Sequence, residues 1–202
     1  MILTDKLRWM HLPKTAGTST ERLFIASGVP IIWNDPQSSP MKHLPLNVHP
    51  FSAKLPLNNQ QPVVNFRRLP YWLLSNLQHK RKMMNLDVPS DPMRKGLFWR
   101  HRDQTWLPAD WWLERFSVTS DFLFLRVEYL KQDFLQCLQN YHSIGFSNYL
   151  RVRFSKAKNS NIYQRNLCDW FSPDDIQQIY KTNPIWATLE QQAYGQLVTP
   201  FS

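Results

Sequence analysis

The sequence predicts an α/β layered domain, and three observations predict it. Short, bulky apolar runs recur along the chain, each run ends in a polar loop, and a segment of helical spacing follows each loop. Strand and helix alternating in this way must pack in layers to bury the apolar faces of both. The 202 residues are enough to bury one substantial core, so a single domain over residues 1–202 is expected.

The first strand is Leu7 to Leu12 (Leu-Arg-Trp-Met-His-Leu), which feeds a turn at Pro13. From Thr18 the run Thr-Ser-Thr-Glu-Arg-Leu-Phe-Ile-Ala-Ser-Gly supplies capping hydroxyls, an early acid, an apolar stripe and a terminal Gly28, which together define a helix. Residues 29–62 are proline-rich and aperiodic, an irregular excursion over the surface. Val63-Val64-Asn65-Phe66 reads as a second buried strand, followed by helical spacing from Tyr71 to Gln78. The section from Asp87 to Met93 reads as a loop. Phe122 to Val127 is a third strand and Leu130 to Tyr141 its helix.

Near the end of the chain, Ser172-Pro173-Asp174-Asp175 combines a capping hydroxyl, proline at the first helical position and acids at the positive helix end. It opens a helix from Pro173 to about Asn183, and Pro184 to Tyr194 forms another. Lys156 to Asn166 is polar and loop-like.

Composition narrows the class of function. The hydrophobic share of 43%, with 9 Trp and 12 Phe, is globular, and 15 Pro against 5 Gly favours ordered loops. A formal charge of +9 gives the surface a positive field that concentrates anions: nucleotides, anionic glycans or nucleic acid. Cys137 and Cys168 stand far apart without zinc-type His/Cys spacing, so no metal site is expected and both read as buried free thiols. The first residues lack a signal-peptide pattern and no apolar run reaches ~18 residues. The expectation is a cytoplasmic protein with no membrane partner.

The chemistry concentrates in Pro13-Lys14-Thr15-Ala16-Gly17-Thr18-Ser19-Thr20. A loop between a strand and a helix points several backbone N–H groups at one place, where the helix dipole adds a favourable potential for an anion. Gly17 allows close approach, Lys14 brings a point charge, and Thr15, Thr18, Ser19 and Thr20 bring hydroxyl donors. The Walker A loop puts its lysine after two glycines; here the lysine comes first.

With that order, His-Leu-Pro-Lys-Thr-Ala-Gly-Thr-Ser resembles the 5′-phosphosulfate loop of sulfotransferases, especially the heparan sulfate 2-O/6-O type of the carbohydrate branch, H-[IV]-P-K-T-G-G-T-S. Ala16 for glycine is the one departure inside its core. The family's second element, R-D-P-x-x-R-x-x-S after a strand, is similar to Arg67-Arg68-Leu69-Pro70-Tyr71-Trp72-Leu73-Leu74-Ser75. Arg67 and Ser75 match the residues that hold the 3′-phosphate, whereas Arg68, Leu69 and Trp72 replace the family's aspartate, proline and second arginine. Phe124 to Leu130 resembles the family's R-x-E-x-L strand end, Asp103 to Leu107 its Q-x-x-[YW]-L segment, and Lys158-Asn159-Ser160 the late loop that closes on the nucleotide.

The resemblance implies a P-loop-like three-layer domain, with a central, mainly parallel sheet flanked by helices. It implies 3′-phosphoadenosine 5′-phosphosulfate (PAPS) as co-substrate, bound by Lys14 to Thr20 with Arg67, Ser75 and Lys158. Lys14 would neutralise charge on the leaving oxygen. A hydroxyl acceptor, a saccharide or related metabolite with anionic glycans included, needs a general base, and His43 in Lys42-His43-Leu44-Pro45 ranks first, with His49 as alternate. His79 to Lys82, Arg94-Lys95 and Arg100 to Arg102, interleaved with Trp99 and Trp106, are basic stretches suited to an anionic acceptor. Two rival readings remain: a non-catalytic basic module for nucleotide or nucleic acid, and a P-loop nucleotide kinase.

Overall fold

A computed structural model describes residues 1–36, 39–50, 52, 59–156 and 165–199. The described strands are β1 (Ile2–Leu3), β2 (Leu7–Met10), β3 (Trp33–Asn34), β4 (Gln61–Phe66), β5 (Leu97–Arg100), β6 (Thr105–Pro108) and β7 (Leu123–Arg126). The helices are α1 (Gly17–Ser27), α2 (Leu69–Met83), α3 (Asp91–Arg94), α4 (Asp110–Arg115), α5 (Leu130–Tyr141), α6 (Phe146–Phe154), α7 (Pro173–Thr182) and α8 (Pro184–Tyr194). They gather into two compact units, Met1–Phe66 with Asp121–Ser160 and Arg67–Ser120 with Asn161–Ser202.

The first unit holds the sheet, in the order β3-β1-β2-β4-β7. It is mixed, not mainly parallel. β2, β4 and β7 are parallel, whereas β1 is antiparallel to both β2 and β3. The cause is local: only Thr4-Asp5-Lys6 separate β1 from β2, and so short a link can join only antiparallel strands. The Thr4 hydroxyl tightens that turn by accepting the Leu7 N–H at 2.8 Å.

Leu7, Trp9, Phe24, Val63, Leu125 and Phe134 are among the residues of the core of this unit. Phe24 of α1 meets Phe134 of α5 edge-on at 4.9 Å. α1 ends at Gly28, which is left-handed at φ 66° and lies against α6: a β-carbon there would meet the Asn148 amide nitrogen at 2.5 Å. The parallel register pairs Met10 with Val64 and Phe66 with Arg126. The carboxyl ends of β2, β4 and β7 therefore lie along one edge, and the Pro13–Thr20 loop leaves β2 from it. In open α/β sheets that edge is where ligands bind.

The second unit is held by buried polar residues as much as by aromatic packing. Glu190 of α8 is buried and accepts the Leu69 N–H at 2.7 Å and the Tyr180 hydroxyl at 2.8 Å, so it caps α2 from another helix. Burial, with the Glu190 charge second, pushes the Tyr180 phenol far above its ordinary range. Asp110 caps α8 in the same way, its two oxygens accepting the Ile185 and Trp186 N–H groups at 2.8 Å each. β5 and β6 form an antiparallel hairpin in which Trp99 faces Trp106. α7 opens with the full capping box, Ser172 Oγ accepting from Asp175 N at 3.1 Å and Asp175 accepting from Ser172 N at 2.8 Å. Of the two thiols only Cys137 is buried, and burial pushes it up to about 12; Cys168 is exposed, contrary to the sequence expectation.

Candidate functional site

The loop from Pro13 to Thr20 is built from two left-handed residues, Lys14 and Ala16, each at φ 64°. Only glycine takes that conformation without steric cost, so Ala16 carries strain at the position where the resembling motif has glycine. The Ala16 carbonyl then accepts the Ser19 N–H at 2.9 Å and the Thr20 N–H at 3.1 Å to start α1. No side chain caps α1. The amides of Gly17 and Thr18, in its first turn, have no intrahelical acceptor, which is the general condition for anion binding at a helix start.

The hydroxyls divide by role. Thr15 is buried and its Oγ1 donates back to the Leu12 carbonyl at 2.6 Å. Thr20 is also buried, and its Oγ1 accepts from Asn65 Nδ2 at 2.6 Å. Both fix the shape of the loop from beneath, whereas Thr18 and Ser19 are only partly buried.

Asn65 is the residue that sequence reasoning missed. Fully buried on β4, it donates to the Thr15 carbonyl at 2.7 Å and to Thr20, and its Oδ1 accepts the Trp9 indole N–H at 2.7 Å. One side chain thereby ties β2, β4, the loop and α1 together. The signal was an amide inside the apolar run Val63-Val64-Asn65-Phe66: a buried amide must find partners.

Gly17 is required by packing. A β-carbon on it would sit 1.7 Å from His11 Nε2, so the imidazole occupies the space that any side chain would need. His11 stacks on Trp9 at 5.2 Å and meets His43 at 4.5 Å between ring centroids. Burial, then the charge of His43, holds His11 well below its ordinary range.

His43 ends a short 3-10 turn, Pro40–His43, and its Nδ1 lies 3.2 Å from the His11 carbonyl oxygen. With the proton on Nδ1 donated there, Nε2 keeps a lone pair. Burial foremost, with Lys42 and Lys14 adding to it, lowers the His43 pKa to about 4 against the opposing pull of that hydrogen bond. His49, the alternate base, is seated differently: it is buried, with Nε2 3.0 Å from Asp35 Oδ1. Asp35, held below the ordinary carboxylate range by its hydrogen-bond partners despite burial, also accepts the Trp33 indole N–H at 2.8 Å. That pair ties the excursion to the sheet edge and keeps His49 from solvent.

The structure thus gathers Lys14 to Thr20, His11, His43 and Asn65 in the first unit. Arg67 and Ser75 belong to the second. The Arg67 carbonyl accepts the Trp186 indole N–H at 3.1 Å, and Ser75 is buried on α2. The departures from the resembling motif have packing roles there. Trp72 is buried 5.0 Å from Trp186 and 5.5 Å from Phe98 between ring centroids. Arg68 covers the Tyr194 ring at 4.3 Å, donates to the Gln196 carbonyl at 3.0 Å and lies 3.5 Å from Glu190. Lys158, with Asn159 and Ser160, lies outside the described residues. Among the described residues no cluster of three or more His, Cys, Asp or Glu is arranged to hold a metal.

Comparison with protein-family models, with curated proteins and with solved structures finds no match to this chain.

Proposed function

We propose that this chain is a sulfotransferase that moves a sulfuryl group from PAPS to a hydroxyl acceptor, on a P-loop-like fold. The observation that carries the reading is the loop itself: lysine first, left-handed backbone at Lys14 and Ala16, and an uncapped helix start at the carboxyl edge of three parallel strands. The resemblance of Arg67 and Ser75 to the family's 3′-phosphate pair supports it.

PAPS supplies the sulfuryl group: a bond forms from the acceptor oxygen to sulfur as the bond from sulfur to the 5′-phosphate oxygen breaks, and the hydroxyl proton leaves. The first-turn amides of α1 are suited to hold phosphate oxygens. Lys14 is the cation suited to balance charge on the departing oxygen. His43 Nε2 is the candidate acceptor of the proton. The low pKa keeps His43 in the base form across the neutral range, at some cost in proton affinity.

Calorimetric titration with 3′,5′-bisphosphoadenosine tests the reading. Wild-type protein should bind it, and Lys14→Ala and Arg67→Ala should each weaken binding by about tenfold or more, since each removes a charged partner of a phosphate. Transfer of labelled sulfate to a mixed set of hydroxyl acceptors should accompany binding. Folded wild-type protein that fails to bind the bisphosphate would end this reading.

A further inference from the structure

α6 has an apolar face on each side. Val152 is buried and Tyr149 packs with it against the core of the first unit. On the opposite side Phe146, Leu150 and Phe154 follow one another at intervals of four residues, which places them in one stripe about 12 Å long. Leu150 is half-buried, but Phe146 is 77% and Phe154 72% exposed, the highest values among the exposed large hydrophobic residues described.

Arg151 and Arg153 are exposed and flank the stripe, one on each side. Arg151 donates to the Asn148 amide oxygen at 3.4 Å and Arg153 to the Tyr149 hydroxyl at 3.1 Å, both within the helix and both uncharged acceptors. Lys131 reaches the Arg153 carbonyl from α5 at 3.2 Å, and Lys156 is exposed just beyond the helix. No Asp or Glu occurs between Asp133 and Asp169, so nothing in this stretch neutralises these cations.

We infer that the outer face of α6 docks on an anionic lipid surface, with Phe146 and Phe154 entering the headgroup boundary and Arg151, Arg153, Lys131 and Lys156 meeting lipid phosphates and carboxylates. Protruding phenylalanines flanked by arginines are the composition of an interfacial helix, which needs no membrane-spanning run. Among the described residues no helix is long and apolar enough to cross a membrane, and docking on a membrane surface requires none; such docking departs from the expectation of no membrane partner. A second copy of the chain fits the face poorly, because it would bring arginines against arginines. This inference is independent of the sulfotransferase reading.

Co-sedimentation of the whole chain with vesicles tests it. The protein should bind phosphatidylcholine vesicles carrying about 30 mol% phosphatidylserine, bind pure phosphatidylcholine weakly, and lose affinity as salt is raised. Phe146→Ser/Phe154→Ser should bind about tenfold more weakly, as should Arg151→Glu/Arg153→Glu. Arg100→Glu/Arg102→Glu in the second unit, an equal change of net charge, should retain most of the binding. An environment-sensitive dye on Phe154→Cys, in a Cys168→Ser background, should shift to the blue on anionic vesicles. Failure of wild type to bind, undiminished binding by the double Phe variant, an equal loss in the Arg100/Arg102 variant, or no dye shift would each overturn the proposal. So would a solution dimer that the Phe variant converts to monomer.

Discussion

Ala16 and Gly17 are adjacent residues with opposite problems. Ala16 has a side chain where the backbone, at φ 64°, favours none; Gly17 has none because His11 fills the space. Left-handed alanine costs ~1–2 kcal/mol relative to glycine, while glycine returns roughly 0.4–1 kcal/mol through a freer unfolded chain. Relief of strain wins, so Ala16→Gly should stabilise by about 0.5–1 kcal/mol in urea unfolding. Gly17→Ala should go the other way. Its β-carbon at 1.7 Å from the ring forces His11 out of its stack on Trp9, an overpacking cost of about 1–3 kcal/mol. Adding His11→Ala to Gly17→Ala should recover part of that loss. If the double variant is no more stable than Gly17→Ala, the collision with His11 is not what demands glycine here.

At the scale of elements, Asn65 makes the order β2, loop, α1 and β4 act as one piece. Asn65→Asp keeps an acceptor for the Trp9 indole but loses the donor to the Thr15 carbonyl and Thr20, and it turns a carboxylate toward that carbonyl. A buried group left without its partner costs ~1–3 kcal/mol, more when charged. The variant should lose about 2–4 kcal/mol, and the amides of Ser19 and Thr20, which bond the Ala16 carbonyl, should exchange hydrogen faster; unchanged exchange there would show that the loop does not depend on Asn65. These elements differ in how far the sequence reveals them. β2, β4 and β7 were legible as apolar runs ending in polar loops, and α7 as a helix announced by its cap. β1 and β3 were not: two residues have no period, and their pairing is settled by partners far along the chain. The β5–β6 hairpin escaped notice because its turn, His101 to Gln104, lacks the glycine that marks tight hairpins and places Gln104 at φ 53° instead. The caps supplied by Glu190 and Asp110 were illegible for another reason, since each serves a helix distant in sequence. Within the candidate site, the loop could be read from local order and His43 was ranked on the family resemblance alone, whereas the His11 ring against Gly17 had no local signal.

Across the whole molecule, histidines make the chain sensitive to acid, and they do so in one unit. His11, His43 and His142 all lie in the first unit, and burial lowers the pKa of each. A histidine whose folded pKa lies below its unfolded value of about 6.5 binds fewer protons when folded, so the unfolded chain gains protons first as pH falls. Stability from these groups is therefore complete above pH ~6.5 and declines as pH falls toward the folded values, which for His43 is about 4. For His43 alone the decline amounts to roughly 3 kcal/mol over the full window. Asp35 adds loss in the same direction only at lower pH, because its folded pKa is also lowered and it must be protonated to lose its contribution. At the alkaline end Cys137, pushed up to about 12, and Tyr180, pushed further, stay protonated well past neutrality. The expected result is a melting temperature that is flat from pH 7 to 8 and falls steadily from pH 6.5 to 4.5. Hydrogen exchange at pH 5 should rise first in β2, α1 and α5 of the first unit, ahead of α7 and α8 of the second. His43→Gln removes one of these lowered imidazoles, so its melting temperature should vary less with pH over the same window. A wild-type curve that is level down to pH 4.5, or a His43→Gln curve as steep as wild type, would mean that these imidazoles are not buried as neutral groups.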